Sequence, residues 1–191
     1  MKLCIYGASS SAIDAVYTDT VYALGKALGQ RGHSLIFGGG AHGLMGAAAR
    51  GTADGGGEVI GVAPRFFDRD GILWENCTQL ILTDTMRQRK QKMEELADGF
   101  LMVPGGIGTY EEFFEILTLK QLGRHSKPIA LLNVAGYFDP LEDMLSATVR
   151  KGFMKPACLQ LYAAFSDAES ALSYFEHYSA PETGWEGLKY P

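Results

Sequence analysis

The sequence predicts an α/β protein built on a doubly wound parallel sheet. Short apolar runs typical of buried strands alternate along the chain with longer segments whose apolar residues recur at helical spacing. This alternation is typical of parallel strands connected by helices. Polar or glycine-rich turns follow three of the runs, and sheets of this kind bind ligands beyond the carboxyl ends of their strands. We therefore expect a single Rossmann-like domain with a ligand site at that edge.

Composition limits the possible partners. The chain has 191 residues, 47% of them apolar and 20% charged, as is ordinary for one globular domain. Its net charge of −5 argues against a nucleic-acid surface or an anionic membrane partner. The three cysteines, Cys4, Cys77 and Cys158, show neither zinc spacing nor a disulfide framework. With no apolar run of signal or membrane-spanning length, we expect a reduced cytoplasmic protein without a metal.

The elements are expected in a regular order. Apolar runs place strands at residues 3–6, 35–37, 59–62, 80–82, 100–103 and 129–132, with a last strand or extended segment at 159–165. Helical spacing places helices at 15–30, from after 46 to about 53, at 86–97, from about 109 onward, at 139–151 and at 168–178. In the first helix Val16, Leu24, Ala27 and Leu28 should face inward. Residues 1–178 should form the domain, and 179–191 a loose tail or one packed on a partner.

The most informative stretch runs from Val103 to Glu112 and joins a strand to a helix. Three glycines in its turn, at positions 105, 106 and 108, leave no Cβ to block a ligand. The first N–H groups of the following helix would be free and would favour an anion, so the turn is a candidate phosphate site. The same residues also fit a capping box with Thr109 as N-cap and Glu112 at N3. Structural and functional roles for Glu112 therefore both remain open.

A second informative stretch is the helix at 86–97, whose first two turns carry four cations, at positions 87, 89, 90 and 92. Cations are unfavourable at a helix N-terminus, which suggests a functional reason for them. The plain alternative is a solvated face on which Lys90 pairs with Glu94. Met86, Arg89 and Met93 share one helical face, so Arg89 should point inward and require an anion.

Two further turns could contribute to a site. The small polar residues at 7–11 follow the first strand and could cap a helix or contact a ligand. The turn at 38–46 contains G-x-G-x-x-G, and Glu58 lies near the place of a ribose-binding acid, but the motif follows the second strand and is weak evidence for NAD. A second phosphate or sugar contact is the preferred interpretation. The long irregular segment 63–76 is expected to be functional or mobile.

Taken together, these motifs resemble those of the LONELY GUY family of cytokinin riboside 5′-monophosphate phosphoribohydrolases, often mislabelled as lysine decarboxylases. Residues 104–112 match its PGGxGTxxE signature. Residues 6–11 resemble its N-terminal glycine/serine turn, 37–46 its GGGxxGLMG segment, and 86–90 its MHxRK motif. The match covers about three quarters of the chain in the family's order. One departure is Arg87, which stands where the family has histidine and would alter any contact of that histidine with the base.

The resemblance implies a Rossmann-like homodimer that cleaves the N-glycosidic bond of a nucleoside 5′-monophosphate, N6-prenyl-AMP and possibly AMP, without a cofactor. By position it implies that Arg89 and Glu112 are the catalytic pair. The substrate-binding residues expected from the resemblance and the turns are Gly7, Ser9, Gly39, Gly40, Met86, Lys90, Gly105, Gly106, Ile107, Gly108, Thr109, Tyr110, Glu111 and Thr118. No lysine has a context that suggests a pyridoxal Schiff base, so decarboxylation is not expected.

Two other classes of function stay open at this point. Related Rossmann-like proteins with similar glycine turns bind nucleotides or carry molybdenum cofactor without catalysis, and a purely capping Glu112 would be compatible with that reading. An NAD-dependent enzyme using the turn at 38–43 is the weaker alternative. The presence of both Arg89 and Glu112 favours hydrolysis.

Overall fold

The computed structural model describes residues 1–68 and 71–180, which contain one seven-stranded sheet. Every strand pairs in parallel with its neighbours, in the order β4-β3-β2-β1-β5-β6-β7. The strands are β1 Lys2–Tyr6, β2 Ser34–Phe37, β3 Val59–Pro64, β4 Gln79–Thr83, β5 Gly99–Met102, β6 Ile129–Leu132 and β7 Ala163–Phe165. The order reverses direction between β1 and β5, which is the switch point where doubly wound sheets bind ligands. The predicted fold is confirmed.

Six α-helices flank the sheet within the described residues. They are α1 Ala15–Gln30, α2 Gly43–Asp54, α3 Met86–Leu96, α4 Ile107–Gln121, α5 Asp139–Arg150 and α6 Ala168–His177. Short 3₁₀ turns occur at Arg65–Phe67, Val134–Gly136 and Pro156–Gln160. No helix in this part of the chain is long and apolar enough to cross a lipid bilayer.

The core has two halves, one on each face of the sheet. Alternate residues of β1 point to opposite faces, so Leu3 and Ile5 join the half built with α1, α2 and α6. Cys4 and Tyr6 join the half built with α3, α4 and α5. Tyr6, at the carboxyl end of β1, is thereby placed on the same side of the sheet as the two helices that carry the informative motifs.

Several boundaries differ from those predicted. Val16 is 45% exposed, not inward, because it falls about 110° around α1 from the centre of the buried stripe of Val21, Leu24 and Leu28. Helix α2 begins at Gly43, so the glycine-rich turn is shorter than expected. Of the segment 159–165 only the last three residues form a strand, because the preceding residues turn as a 3₁₀ helix. Residues 181–191 of the expected tail lie outside the described residues.

Candidate active site

A cavity of about 540 Å³ opens at the carboxyl edge of the sheet, where the turns after β1, β2 and β5 meet. The prediction of a site at this edge is therefore matched by a cavity. The sequence-predicted residues that line it are Gly7, Ser9, Gly40, Met86, Arg89, Gly106, Ile107, Gly108, Thr109 and Glu112. They come from distant parts of the sequence and converge because parallel strands end at one edge.

The start of α4 corrects one alternative from the sequence. The N-cap is Gly106, and Thr109 lies inside the helix with its N–H bonded to the Gly106 carbonyl at 3.0 Å. The predicted capping box of Thr109 and Glu112 is therefore wrong, because the helix begins three residues before such a cap would sit. Glu112 is left free to use its carboxylate elsewhere. Gly106, Ile107 and Gly108, which open α4, line the cavity, and the first N–H groups of a helix have no partner inside it and favour an anion.

Arg89 and Glu112 form an ion pair at the cavity wall. The Nη1 of Arg89 donates to Oε1 of Glu112 at 2.9 Å, and its Nε donates to the Val62 carbonyl at 3.2 Å. Arg89 is only 9% exposed. The predicted inward Arg89 with an anionic partner is thus found. Gly38 packs directly against this arginine, and only glycine fits there because a Cβ would lie 2.2 Å from Nη2 of Arg89.

Helix α3 presents Arg89 inward because of how it begins. Thr85 caps it with a reciprocal capping box to Gln88, and Met93 is buried on the same face as Arg89. Lys90 points elsewhere and pairs with Glu111 and Glu115 of α4, so the alternative in which it pairs with Glu94 is not what the structure shows. The neighbouring Arg87 is exposed and does not line the cavity, so its departure from the family histidine lies away from this site.

The electrostatics of the pair are set by burial. Burial raises the pKa of the Glu112 carboxyl, and the charge and hydrogen bond of Arg89 pull that pKa down in part. Beneath the pair, burial raises the pKa of Tyr6 well above its ordinary value, and Cys4 and Glu112 add to the effect. Burial also raises the pKa of the Cys4 thiol to about 12, so this thiol stays protonated. Glu112 is the ionisable carboxylate of the cavity.

The remaining predicted site residues do not line this cavity. Gly39 is buried behind its turn with a φ of +80°, and Gly105 is buried behind the start of α4. Glu111 and Lys90 are held by each other outside the cavity. Tyr110 packs edge-on against Phe138, and Thr118 is exposed on α4 more than one turn beyond Glu112. Their roles in binding stay predictions.

Sequence reasoning missed an apolar wall. It consists of Ala41, Met45, Phe67, Ile72 and Leu73, which lie on the cavity together with Met86. The segment that begins at Gly71 is tied to the second glycine turn, since the Ala41 N–H bonds to the Ile72 carbonyl at 3.0 Å. The only signal for this wall was the length of the irregular segment that contains Phe67, Ile72 and Leu73. Tyr6 was also missed, because it reads as an ordinary strand residue.

The geometry opposes a dinucleotide site at the second turn. The Ala8 carbonyl accepts the N–H groups of Leu44 and Met45 at 2.8 and 3.3 Å, so amides that would hold a pyrophosphate at the start of α2 are already used. Gly43 is needed for this packing, because a Cβ there would lie 2.5 Å from the Ala8 carbonyl oxygen. Glu58 precedes β3 and bonds to Ser34 at the opposite edge of the sheet.

Metal ligation has no evident place in the described part of the chain. No group of three or more His, Cys, Asp or Glu side chains converges there as ligands would. His42, which lines the cavity, is bonded through Nε2 to the Gly71 carbonyl at 2.9 Å.

Known structures share the fold. The molybdenum cofactor carrier protein of Chlamydomonas reinhardtii superposes with a TM-score of 0.69 at 21% identity, covering 92% of this chain and 95% of that one. The molybdenum cofactor binding protein of Rippkaea orientalis gives 0.69 at 20% identity, covering 92% and 93%. At such identities the likeness concerns the fold alone.

Sequence comparison is more specific. The family model described as "Possible lysine decarboxylase" matches residues 45–175. A rice relative (Oryza sativa subsp. japonica), named probable cytokinin riboside 5′-monophosphate phosphoribohydrolase LOGL1, is 37% identical over 97% of this chain and 86% of its own length. The Arabidopsis thaliana enzyme named cytokinin riboside 5′-monophosphate phosphoribohydrolase LOG2 is 36% identical over 93% and 83%. With its motifs gathered at one cavity and this identity along nearly its whole length, the chain belongs to the LONELY GUY (LOG) family.

Proposed function

We propose that the chain hydrolyses the N-glycosidic bond of cytokinin riboside 5′-monophosphates, releasing free base and ribose 5-phosphate. N6-prenyl-AMP is the first substrate and AMP a second one to test. The observation that carries this proposal is the Arg89–Glu112 ion pair, at 2.9 Å, in the wall of a cavity that also contains the free amides of α4. The names of the relatives support the same reaction.

The start of α4 would hold the 5′-phosphate. Gly106, Ile107 and Gly108 line the cavity, and the helix dipole adds to the attraction of their N–H groups for an anion. Glu112 lies four residues beyond Gly108, so its carboxylate projects from the same face of α4 as that amide. Phosphate bound at the helix start would thereby place the ribose beside Glu112.

Glu112 would stabilise the positive charge that develops on the ribose as the glycosidic bond breaks. It would also accept a proton from the attacking water. The C1′–N9 bond breaks with its electron pair on the base, the water oxygen bonds to C1′, and the proton that Glu112 takes from the water passes through solvent to the departing base. Arg89 keeps Glu112 ionised against the effect of burial and fixes its orientation.

The apolar wall would bind the base and its N6 substituent. Met45, Phe67 and Leu73 offer surface without charge, which suits a prenyl group better than a polar substituent. No lysine lines the cavity among the described residues, so nothing in its lining supports the Schiff base that a lysine decarboxylase would need.

The test is chromatography of reactions with isopentenyl-AMP, AMP and isopentenyladenosine. Base should appear from the phosphorylated substrates only. Glu112→Gln should lower the rate by at least about 100-fold while isopentenyl-AMP still binds. The matched control is Glu115→Gln, also on α4, whose carboxylate pairs with Lys90 outside the cavity.

Two results would overturn the proposal. Full turnover by Glu112→Gln would remove the catalytic assignment. Absence of base release from every substrate would favour a non-catalytic binding protein, such as a nucleotide or molybdenum cofactor carrier, and a search for a ligand that copurifies.

The homodimer and the cytoplasmic location are part of the same proposal. The resemblance supports the dimer, and the isolated, free cysteines Cys4, Cys77 and Cys158 support a reducing compartment. Light scattering during size-exclusion chromatography tests the first, and fractionation of the native cells tests the second.

A further inference from the structure

One tyrosine outside the cavity holds the backbone that lines it. The hydroxyl of Tyr137 donates a hydrogen bond to the carbonyl oxygen of Gly105 at 2.6 Å. Tyr137 follows β6, in the turn that contains Ala135 with a φ of 51°. Its ring is packed edge-on by Tyr17 and Phe138, with centroids 6.0 and 5.2 Å away. The hydroxyl is therefore presented from a fixed ring.

This bond fixes which way the Gly105–Gly106 peptide faces. The peptide is trans, so the Gly105 carbonyl and the Gly106 N–H point in opposite directions. Tyr137 binds the carbonyl from the β6 side of β5, whereas the cavity lies on the β1 side. The Gly106 N–H is consequently directed toward the cavity, where the phosphate of the proposed substrate would lie.

Without such a restraint this peptide could rotate easily. Both of its residues are glycines, so no Cβ opposes an exchange of the carbonyl and N–H positions. The exchanged peptide would place a carbonyl oxygen, with its partial negative charge, next to a bound phosphate. The phosphate site would then lose the Gly106 N–H donor and gain a carbonyl dipole that repels the phosphate.

We propose that Tyr137 is a positioning residue for the phosphate end of the substrate, acting by holding the Gly105–Gly106 peptide with its N–H toward the cavity. This rests on the proposed function, since it deepens the role of the same site. It also accounts for the two adjacent glycines: Gly105 is held close to Thr109 and Ala8, where a Cβ would lie 2.1 and 2.9 Å from their atoms. A Cβ built on Gly106 would have no neighbour within 4 Å, so this position leaves room for the ligand.

The test compares ligands with and without phosphate. Tyr137→Phe keeps the ring and removes the hydroxyl, and Tyr17→Phe is the matched control because its ring packs on Tyr137 but its hydroxyl does not bond to Gly105. Calorimetric titration with ribose 5-phosphate should show an affinity about 10- to 100-fold lower in Tyr137→Phe. Binding of isopentenyladenosine should not change. In turnover the KM for isopentenyl-AMP should rise more than kcat falls.

The assignment is overturned by equal losses for both ligands, by an equal loss in Tyr17→Phe, or by unchanged ribose 5-phosphate binding in Tyr137→Phe. Wild-type turnover is measured in the same preparation to separate the two proposals. Turnover with no selective loss refutes the role of Tyr137 and leaves the proposed function standing. If Tyr137→Phe shows the selective loss but the wild-type protein shows no turnover, the role of Tyr137 is supported and hydrolysis is refuted.

Discussion

The contact between Gly38 and Arg89 offers a sharp perturbation of the catalytic pair. Gly38 does not have a positive φ, so the backbone itself tolerates alanine. All the close contacts of an added Cβ would be with the Arg89 guanidinium, whose Nη2 would lie 2.2 Å away. Ordinary contact needs roughly 3.5 Å, so the guanidinium would have to move by more than about 1 Å.

That movement determines the expected size of the effect. Arg89 holds Glu112 at 2.9 Å and Val62 at 3.2 Å, and a displacement of this size would break or distort at least one of these bonds. A misplacement of about 1 Å in a catalytic group can cost on the order of 100-fold in rate. We expect Gly38→Ala to lower kcat/KM for isopentenyl-AMP by about that factor, measured by chromatography of the released base.

A double-mutant cycle shows whether the effect passes through Arg89. In the wild-type background Gly38→Ala should lower the free energy of unfolding by about 1–3 kcal/mol, as overpacking does. In an Arg89→Ala background the new methyl group has room, and the same substitution should leave the denaturant midpoint nearly unchanged. Equal destabilisation in both backgrounds, or normal turnover by Gly38→Ala, would refute the reasoning.

Three other predictions follow from the same contacts. Because burial raises the pKa of Glu112 above its ordinary value of 4.5, and because the carboxylate is the active form, kcat/KM should fall as the pH drops through a value above 4.5. Arg89→Gln should move this acid limb to higher pH in a pH–rate profile; a limb at or below its wild-type position would contradict the assignment. Phe67→Ser should raise the KM for isopentenyl-AMP about 10-fold with little change for AMP, and equal effects on both would exclude Phe67 from binding the substituent. Gly25→Ala would set a Cβ 2.4 Å from the Ala48 carbonyl oxygen where α1 crosses α2, so it should cost about 1–3 kcal/mol in denaturant unfolding while activity per folded molecule stays normal.

The sheet could be predicted from sequence because each central strand is a short apolar run between turns. The run 129–132 became β6 without change, and helix α1 has the predicted bounds. The failures have separate causes. Val16 is apolar but lies off the buried stripe of α1, so its residue type pointed inward while its helical position did not. In the segment 159–165, apolar residues occur both in a 3₁₀ turn and in a strand, and their spacing does not distinguish the two.

The site was predictable where glycine and charge mark it, and not where it is formed by ordinary residues. Arg89 drew attention because a cation at a helix start is unfavourable, and Glu112 because glycines precede it. Tyr6 and Phe67 carry no such mark. Tyr6 reaches the cavity only because β1 ends beside β5, and Phe67 only because a turn folds back over the second glycine turn. These are properties of the sheet order, which no local pattern encodes.

The cations of α3 differ in role: Arg89 belongs to the candidate site, whereas its neighbours are exposed or paired on the surface. Arg87 is exposed and Lys90 binds acidic side chains of α4, so these two follow the solvated or paired behaviour typical of such runs. Arg89 alone among the three is buried, and its charge is matched by Glu112. The pairs of Lys90 with Glu111 and Glu115 therefore connect α3 to α4 beside the Arg89–Glu112 pair at the cavity. Glu115→Gln leaves Lys90 paired with Glu111 and should keep turnover, whereas Lys90→Met removes both pairs and should lower kcat/KM for isopentenyl-AMP although Lys90 lies outside the cavity; normal turnover by Lys90→Met would contradict this.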